Sequence, residues 1–286
     1  MVRRYCAAFR RFTAVFGTAE RRLLRAIAVN NQRVEVPAEY DNQISFELEE
    51  RALHVRAVRL IAPNPVVARF ASLLTPDEQD RAGRFRFEHL RRSFTLARGA
   101  LRILLGHYLN IDPAAIRFVY GEKGKPSLAE PSRIRFNASH SGDLALYAFT
   151  PDCEIGVDVE KFRPMTDLRA IAARFFCAEE AAELMQLPDE QRGAAFFRCW
   201  TRKEAYIKAI GDGLSVPLDA FAVSLRAGHP ARIIHIGRDA AAAAAWTLEN
   251  LEPAPDYTAA VAYRDAPRIL RVEPVVEPNA IISPEE

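Results

Sequence analysis

The 286-residue chain is short of lysine, of cysteine and of long apolar runs. Only five of its 39 basic residues are lysines (Lys123, Lys125, Lys161, Lys203 and Lys208), and the other 34 are arginines. Such a bias is most simply a genomic composition effect, and it makes each remaining lysine worth locating. The four cysteines, Cys6, Cys153, Cys177 and Cys199, form no C-x-x-C pair, so neither a zinc site nor a disulfide scaffold is suggested. Reduced thiols in a cytoplasmic protein are the plain expectation. No stretch approaches the roughly 18 continuous apolar residues of a membrane span; the longest bland run is Ala240 to Ala245. A strong charge excess is missing too, with 39 basic against 37 acidic residues.

Local charge is less even. Residues 1–33 hold eight arginines and one acid, Glu20, so the rest of the chain is slightly acidic. Such a basic segment suits a transit peptide, a nucleic-acid arm or a membrane-surface helix. The simplest expectation is a poorly ordered extension over residues 1–50.

Half the residues are apolar, enough for one large domain or two small ones. The period-two run from His54 to Ile61 predicts a strand. Thr75-Pro-Asp-Glu supplies an N-cap, an N1 proline and early acids, so a helix starts there. A second helix is expected over 89–108, with Phe94, Leu101, Leu104 and Leu105 on its apolar side. A strand over 116–120 leads into the turn Gly121-Glu-Lys-Gly-Lys-Pro, and short strands over 134–137 and 144–149 flank Ala138-Ser-His-Ser-Gly. The second half repeats this order: a strand over 155–160, helices over 166–176, 178–186 and 193–210, then a meander over 221–263. Gly211-Asp-Gly213 stops the long helix. The expected division is an N-terminal subdomain over 51–156, a C-terminal subdomain over 157–273, and a flexible tail over 274–286.

Four segments carry chemistry. In Gly156-Val-Asp158-Val-Glu160, residues two apart in a strand put both carboxylates on one face. Buried acids of this kind need cations or a metal, although an edge strand with a solvated acidic face reads the same way. In Trp200-Thr-Arg-Lys203-Glu204-Ala-Tyr-Ile-Lys208, Glu204 and Lys208 share a helical face. They form either an ordinary exposed ion pair or the third carboxylate and the point charge of a phosphate-handling magnesium site. The glycine turn with Lys123 and Lys125 is no Walker A loop; its amides and ammonium groups suit phosphate, or it is simply a solvated hairpin. Asn137, Ser139 and His140 read as hydrogen-bond donors to an anion at a strand-to-turn junction, or as structural groups. No G-x-S-x-G elbow supports a hydrolase triad.

These segments, in this order, resemble the 4'-phosphopantetheinyl transferases, in particular the larger, pseudo-dimeric Sfp-like branch. The likeness covers about residues 54–265. It implies an α+β fold of two similar α/β subdomains in pseudo-twofold arrangement, with coenzyme A between them. It also implies transfer of the phosphopantetheine arm of coenzyme A to a serine of an apo acyl or peptidyl carrier protein, releasing adenosine 3',5'-bisphosphate. Carried over by position, Asp158 and Glu204 look like magnesium ligands, with Glu160 a third. Lys208 and Lys203 would face the pyrophosphate, and Ser139, His140, Lys125 and Lys123 the coenzyme's phosphates. Arg81 and Arg98 would lie toward the adenosine 3'-phosphate. Glu204 is the favoured general base, with Glu160 its rival. A monomer is expected, without nucleic acid or membrane as partner. The rival readings are another magnesium-dependent phosphoryl or nucleotidyl transferase, and a nucleic-acid-binding protein.

Overall fold

The computed structural model of the protein describes residues 26–29, 32–35, 46–211 and 216–282. The N-terminal half runs β3 (Ala52–Arg59), α1 (Asn64–Ser72), α2 (Pro76–Gly83), α3 (Glu88–Leu109), β4 (Phe118–Tyr120), β5 (Pro126–Leu128), β6 (Ile134–Ser141) and β7 (Leu144–Pro151). The C-terminal half repeats a strand, three helices and two hairpins: β8 (Ile155–Lys161), α4 (Leu168–Phe175), α5 (Ala178–Gln186), α6 (Asp189–Ile210), β9 (Phe221–Val223), β10 (Ile233–Ile236), β11 (Thr247–Glu252) and β12 (Tyr257–Tyr263). A one-turn helix, α7 (Ala240–Ala244), precedes β11. The sheet orders match as well, β6-β7-β3 in one half and β11-β12-β8 in the other. The α+β class and the repeated organisation are therefore present.

Period-two alternation builds the core. Val55 and Ala57 of β3, Leu146 and Ala148 of β7, Val157 and Val159 of β8, and Ala259 and Val261 of β12 form one cluster shared by both sheets. The opposite faces are equally apolar. Tyr147 and Phe149 pack with Leu96, Ala100 and Leu104 of α3, while Ala260 and Ala262 pack with Ala205, Ile207 and Ala209 of α6. The layers thus read helix, sheet, sheet, helix, and strands buried on both faces lose the polar alternation of surface strands.

Several expectations change. The helix at Thr75 starts as expected, with the Thr75 N–H donating to Glu78 Oε2 at 3.1 Å. α1 was not foreseen. β6 continues through Ser141, and the turn is Gly142-Asp143, with Gly142 at φ 56°. The expected meander divides: β9 and β10 form their own two-stranded sheet, and β11–β12 joins β8. The subdomain boundary at 156 falls inside β8. Of the tail expected over 274–286, the described residues 274–282 are tied down: β13 (Ile269–Val272) before them runs parallel to β3 (Ile269 opposite Ala52), Val276 N–H donates to Ala57 O, and Ile281 is buried. The far edge of β3 supplies the partner groups that a Pro/Glu-rich composition concealed. Most of the expected N-terminal extension lies outside the described residues. Within it, β1 (Ala26–Val29) and β2 (Gln32–Glu35) form an antiparallel pair, and β1 pairs with β11.

The β3–β13 seam buries a polar knot. Tyr108 Oη lies 2.9 Å from His54 Nδ1 and accepts from Arg56 Nε at 3.0 Å, and Arg56 pairs with Glu273. Burial, aided by the charges of Arg56 and Arg271, lowers the His54 pKa to about 4. A histidine kept neutral in the fold and titrating near 6.5 when unfolded stabilises the protein fully above pH 6.5. That contribution, on the order of 3 kcal/mol, is lost as the pH falls toward 4. We expect melting temperature to fall steeply over this range and a His54→Gln variant to flatten the slope; an unchanged slope in the variant would reject the assignment.

Candidate active site

β6 ends one sheet and β8 ends the other, and no backbone ladder joins them. Side chains close the gap instead, from three β6 residues spaced by two. Asn137 Oδ1 accepts from Val157 N–H at 2.9 Å, and Ser139 Oγ donates to Asp158 Oδ1 at 2.8 Å. Ser141 Oγ donates to Glu160 Oε2 at 2.7 Å and accepts from Lys161 N–H at 3.2 Å. His140, one residue out of phase, is exposed.

The opposite wall of the site is α6, brought close by a glycine. A Cβ on Gly156 would stand 2.0 Å from Ala205 O and 2.3 Å from Ala209 N, so only glycine lets this helix lie against β8. Gly156, Asp158 and Glu160 share the α6-facing side of the strand. Lys208 reaches across and donates to Asp158 Oδ1 at 2.6 Å, Ser139 Oγ at 2.9 Å and Val157 O at 3.2 Å. One turn earlier, Glu204 lies on the same face.

Two carboxylates here are perturbed upward. Burial raises the Asp158 pKa, opposed by Lys208 and reinforced by Glu160. Glu204 is pushed up to about 7, first by burial, then by the charge of Asp158, with Lys208 opposing and Glu160 adding. Asp158 Oδ2 is buried without a hydrogen-bond partner. A buried carboxylate oxygen without a partner, within the electrostatic field shared with a second carboxylate, is an arrangement a cation would relieve.

The other sequence candidates divide. Lys125 lies near the C-terminal end of α6: its Nζ pairs with Glu154 at 2.7 Å and donates to Ala209 O, the residue after Lys208, at 3.3 Å. Lys123 is exposed at the tip of the same turn, where Gly124 takes φ 83°. Lys203 does not face the cluster. It is fully buried on another face of α6, because five residues separate it from Lys208 and place it about 140° away around the helix. Arg98 lies 3.5 Å from Glu78 and over the Phe118 ring, and Arg81 lies over the Phe94 ring. Their partners belong to α2, β4 and α3 and not to the seam. Ser141 and the packing role of Gly156 were missed. The period of two from Ser139 would have found the first, and the second needed α6 in place. A cavity of about 660 Å³ lies apart from this cluster, lined by Arg69, Ile103, His107 and Ile281 among others.

A family profile described as 4'-phosphopantetheinyl transferase superfamily matches residues 154–262, and one described as 4'-phosphopantetheinyl transferase, N-terminal, matches 64–152. The 4'-phosphopantetheinyl transferase HetI of Nostoc is 41% identical over 213 residues, 73% of this chain and 86% of that protein. The chain belongs to the 4'-phosphopantetheinyl transferases. A second relative, the 4'-phosphopantetheinyl transferase Sfp of Bacillus subtilis, is 34% identical over 157 residues, 55% of this chain and 69% of its own. The transferase is thus of the larger, Sfp-like type, and the two profiles meet between β7 and β8.

Because Gly156 holds α6 at its distance from β8, Gly156→Ala should be costly. We expect a loss of about 3 kcal/mol or more of stability through overpacking against backbone, read by denaturant unfolding. A variant as stable as the parent would show that α6 can retreat at no cost.

Proposed function

We propose that this transferase moves the phosphopantetheine arm of coenzyme A onto a serine of an apo acyl or peptidyl carrier protein, with magnesium, and releases adenosine 3',5'-bisphosphate. The observation that carries this reading is Asp158, with one oxygen held by Lys208 and Ser139 and the other buried without a partner.

In the reaction, the carrier serine oxygen bonds to the β-phosphorus of coenzyme A. The bond from that phosphorus to the bridging pyrophosphate oxygen breaks, and the bisphosphate leaves with the electron pair. The serine proton passes to a carboxylate. Glu160 is engaged by Ser141 and by Arg163 at 3.1 Å, which favours Glu204 as the base. Lys208, with Lys125 nearby, offers ammonium charge to the pyrophosphate, and such transfer needs positioning and charge neutralisation more than covalent chemistry. Ser139 keeps Asp158 and Lys208 in register; His140, exposed on β6, and Lys123 at the turn tip complete the anion-facing set.

Asp158, Glu160 and Glu204 would hold magnesium. Among the described residues no group of three or more His, Cys, Asp or Glu side chains stands ready to hold a metal ion; magnesium takes one or two carboxylates and completes its shell with water and substrate phosphate. When bound, it neutralises charge on the leaving phosphate.

Exposed Arg163, Arg169 and Arg174 follow β8 into α4, with Arg174 over the half-buried Phe175 ring, and offer a basic and apolar face to an acidic carrier helix. Phe176 belongs to the core. No described helix is long and apolar enough to cross a membrane. The buried thiols of Cys153, Cys177 and Cys199 are free, in keeping with a cytoplasmic enzyme. Both halves of the pair lie in one chain, in keeping with a monomer.

The test is to incubate the transferase with coenzyme A, magnesium and an apo carrier and to weigh the carrier. A gain of one phosphopantetheine arm is expected; no gain across several carriers rejects the reading. Asp158→Asn and Glu204→Gln should each lower transfer by at least about 100-fold while the fold persists; full magnesium-dependent transfer by either removes the site assignment. Arg169→Glu should raise KM for the carrier and leave that for coenzyme A unchanged, and an unaltered carrier KM would dismiss the α4 face.

A further inference from the structure

Lys203 is a fully buried cation of the C-terminal half. Its Nζ pairs with Glu180 Oε2 at 2.7 Å and donates to Leu218 O at 2.8 Å and Phe221 O at 2.6 Å. Three acceptors meet its three donors and the side chain has no exposed surface, whereas Lys208, also bonded three times, keeps about a quarter of its side chain open to solvent. Glu180 is equally buried: it also accepts from Cys177 N–H at 2.9 Å and from Val223 N–H at 2.7 Å.

The N-terminal half contains the same node. Arg102 donates to Glu78 Oε2 at 2.7 Å, to Pro113 O at 3.0 Å and to Ile116 O at 2.9 Å. Arg102 and Lys203 each stand fifteenth in a 22-residue helix, α3 and α6. Glu78 and Glu180 each stand third in the short helix before it, accepting from the backbone N–H of the preceding cap residue. Each pair of carbonyls spans a single 3-10 turn, Pro113–Ala115 or Leu218–Ala220. Position, partner type and carbonyl spacing coincide, so the halves repeat one ion-pair device and not merely one order of elements.

We propose that Lys203 and Glu180 are positioning residues of the transferase, whose buried pair fixes the rotation of α6 and so aims Glu204 and Lys208 at Asp158. The inference rests on the reading that the Asp158 cluster performs the transfer. Gly156 sets how near α6 comes to β8; the pair tying α6 to α5 and to the segment entering β9 sets which face it shows. Adjacent helical residues are 100° apart, so a clamp at 203 constrains 204 directly and 208 through little more than one turn. Removing one partner strands a buried charge, which α6 must shift to hydrate. Displacements of about 1 Å at reacting groups cost on the order of 100-fold in rate.

Transfer kinetics on the full chain, with hydrogen exchange of α6, test this in Lys203→Met, Glu180→Gln, the double variant and Lys203→Arg. Each single neutral variant should lower kcat about 10- to 100-fold with coenzyme A KM nearly unchanged. The double variant, which leaves no uncompensated charge and guards against failure to fold, should be no worse than the weaker single. Lys203→Arg, copying the Arg102 node, should recover kcat to within about threefold. Amide exchange over 204–208 should quicken in the single neutral variants while α3 stays protected. A parental kcat in Glu180→Gln, or a raised coenzyme A KM with unchanged kcat in Lys203→Met, would overturn the proposal and return Lys203 to the phosphate. If the parent chain transfers nothing, the functional reading fails, and exchange alone decides: unchanged protection of 204–208 refutes the positioning role.

Discussion

Two sheet edges meet in this protein without a hydrogen-bond ladder, and the enzyme depends on how that seam is closed. An edge strand leaves backbone donors and acceptors unpaired. Between β6 and β8 the Asn137 amide oxygen and the Ser141 hydroxyl accept from the backbone N–H groups of Val157 and Lys161, and the Ser139 and Ser141 hydroxyls bind the carboxylates of Asp158 and Glu160. Side chains bind the edges in place of a ladder. Asp158 is buried at this seam, where a lone carboxylate would be costly, and Lys208 is the neighbour that makes its burial tolerable. One interaction therefore joins the halves, retains a charged group at low exposure, and leaves that group's second oxygen available.

The same contact explains why α6 is constrained from two sides. Lys208 reaches Asp158 only if the helix axis lies close to β8, which a side chain at 156 would prevent. It also needs the correct rotation, and the Glu180–Lys203 pair lies on the face turned away from Asp158. Removing one member of a buried pair typically costs about 3–5 kcal/mol, mostly because the survivor is left uncompensated. A helix held in this way does not roll, and the carboxylate of Glu204 stays within the field of Asp158 that, with burial, keeps its proton affinity high.

The legible part of the site was the part with a short period. Two residues apart on a strand, and four apart on a helix, are geometric statements independent of tertiary packing, so Asp158 with Glu160 and Glu204 with Lys208 were readable before any fold was known. Lys203 was misplaced for a physical reason. α6 is buried on several faces, with Phe197, Cys199 and Tyr206 all inside. Its apolar pattern therefore does not say which face meets β8 and which meets α5. β13 and residues 274–282 failed differently, because Pro274, Glu277 and Pro278 read as a fraying tail while Val276 and Ile281 do the packing. The Arg98 and Arg81 assignments followed a loose likeness, and in the fold these side chains lie against Glu78 and aromatic rings.

The scarcity of lysine can now be divided by environment. Lys125 and Lys208 converge at the C-terminal end of α6, where a compact ammonium fits between carbonyls and carboxylates. Lys203 survives for another reason, since three acceptors surround its Nζ and the equivalent post in the other half is held by an arginine of the same function. Lysine and arginine are interchangeable at such a post only if the cavity fits the forked head or the single nitrogen, and each half has settled on its own solution. Two of the retained lysines thus mark places where a small cation is hemmed in, Lys208 against Asp158 on one face of α6 and Lys203 against Glu180 on another, while Lys123 and Lys161 stay open to solvent.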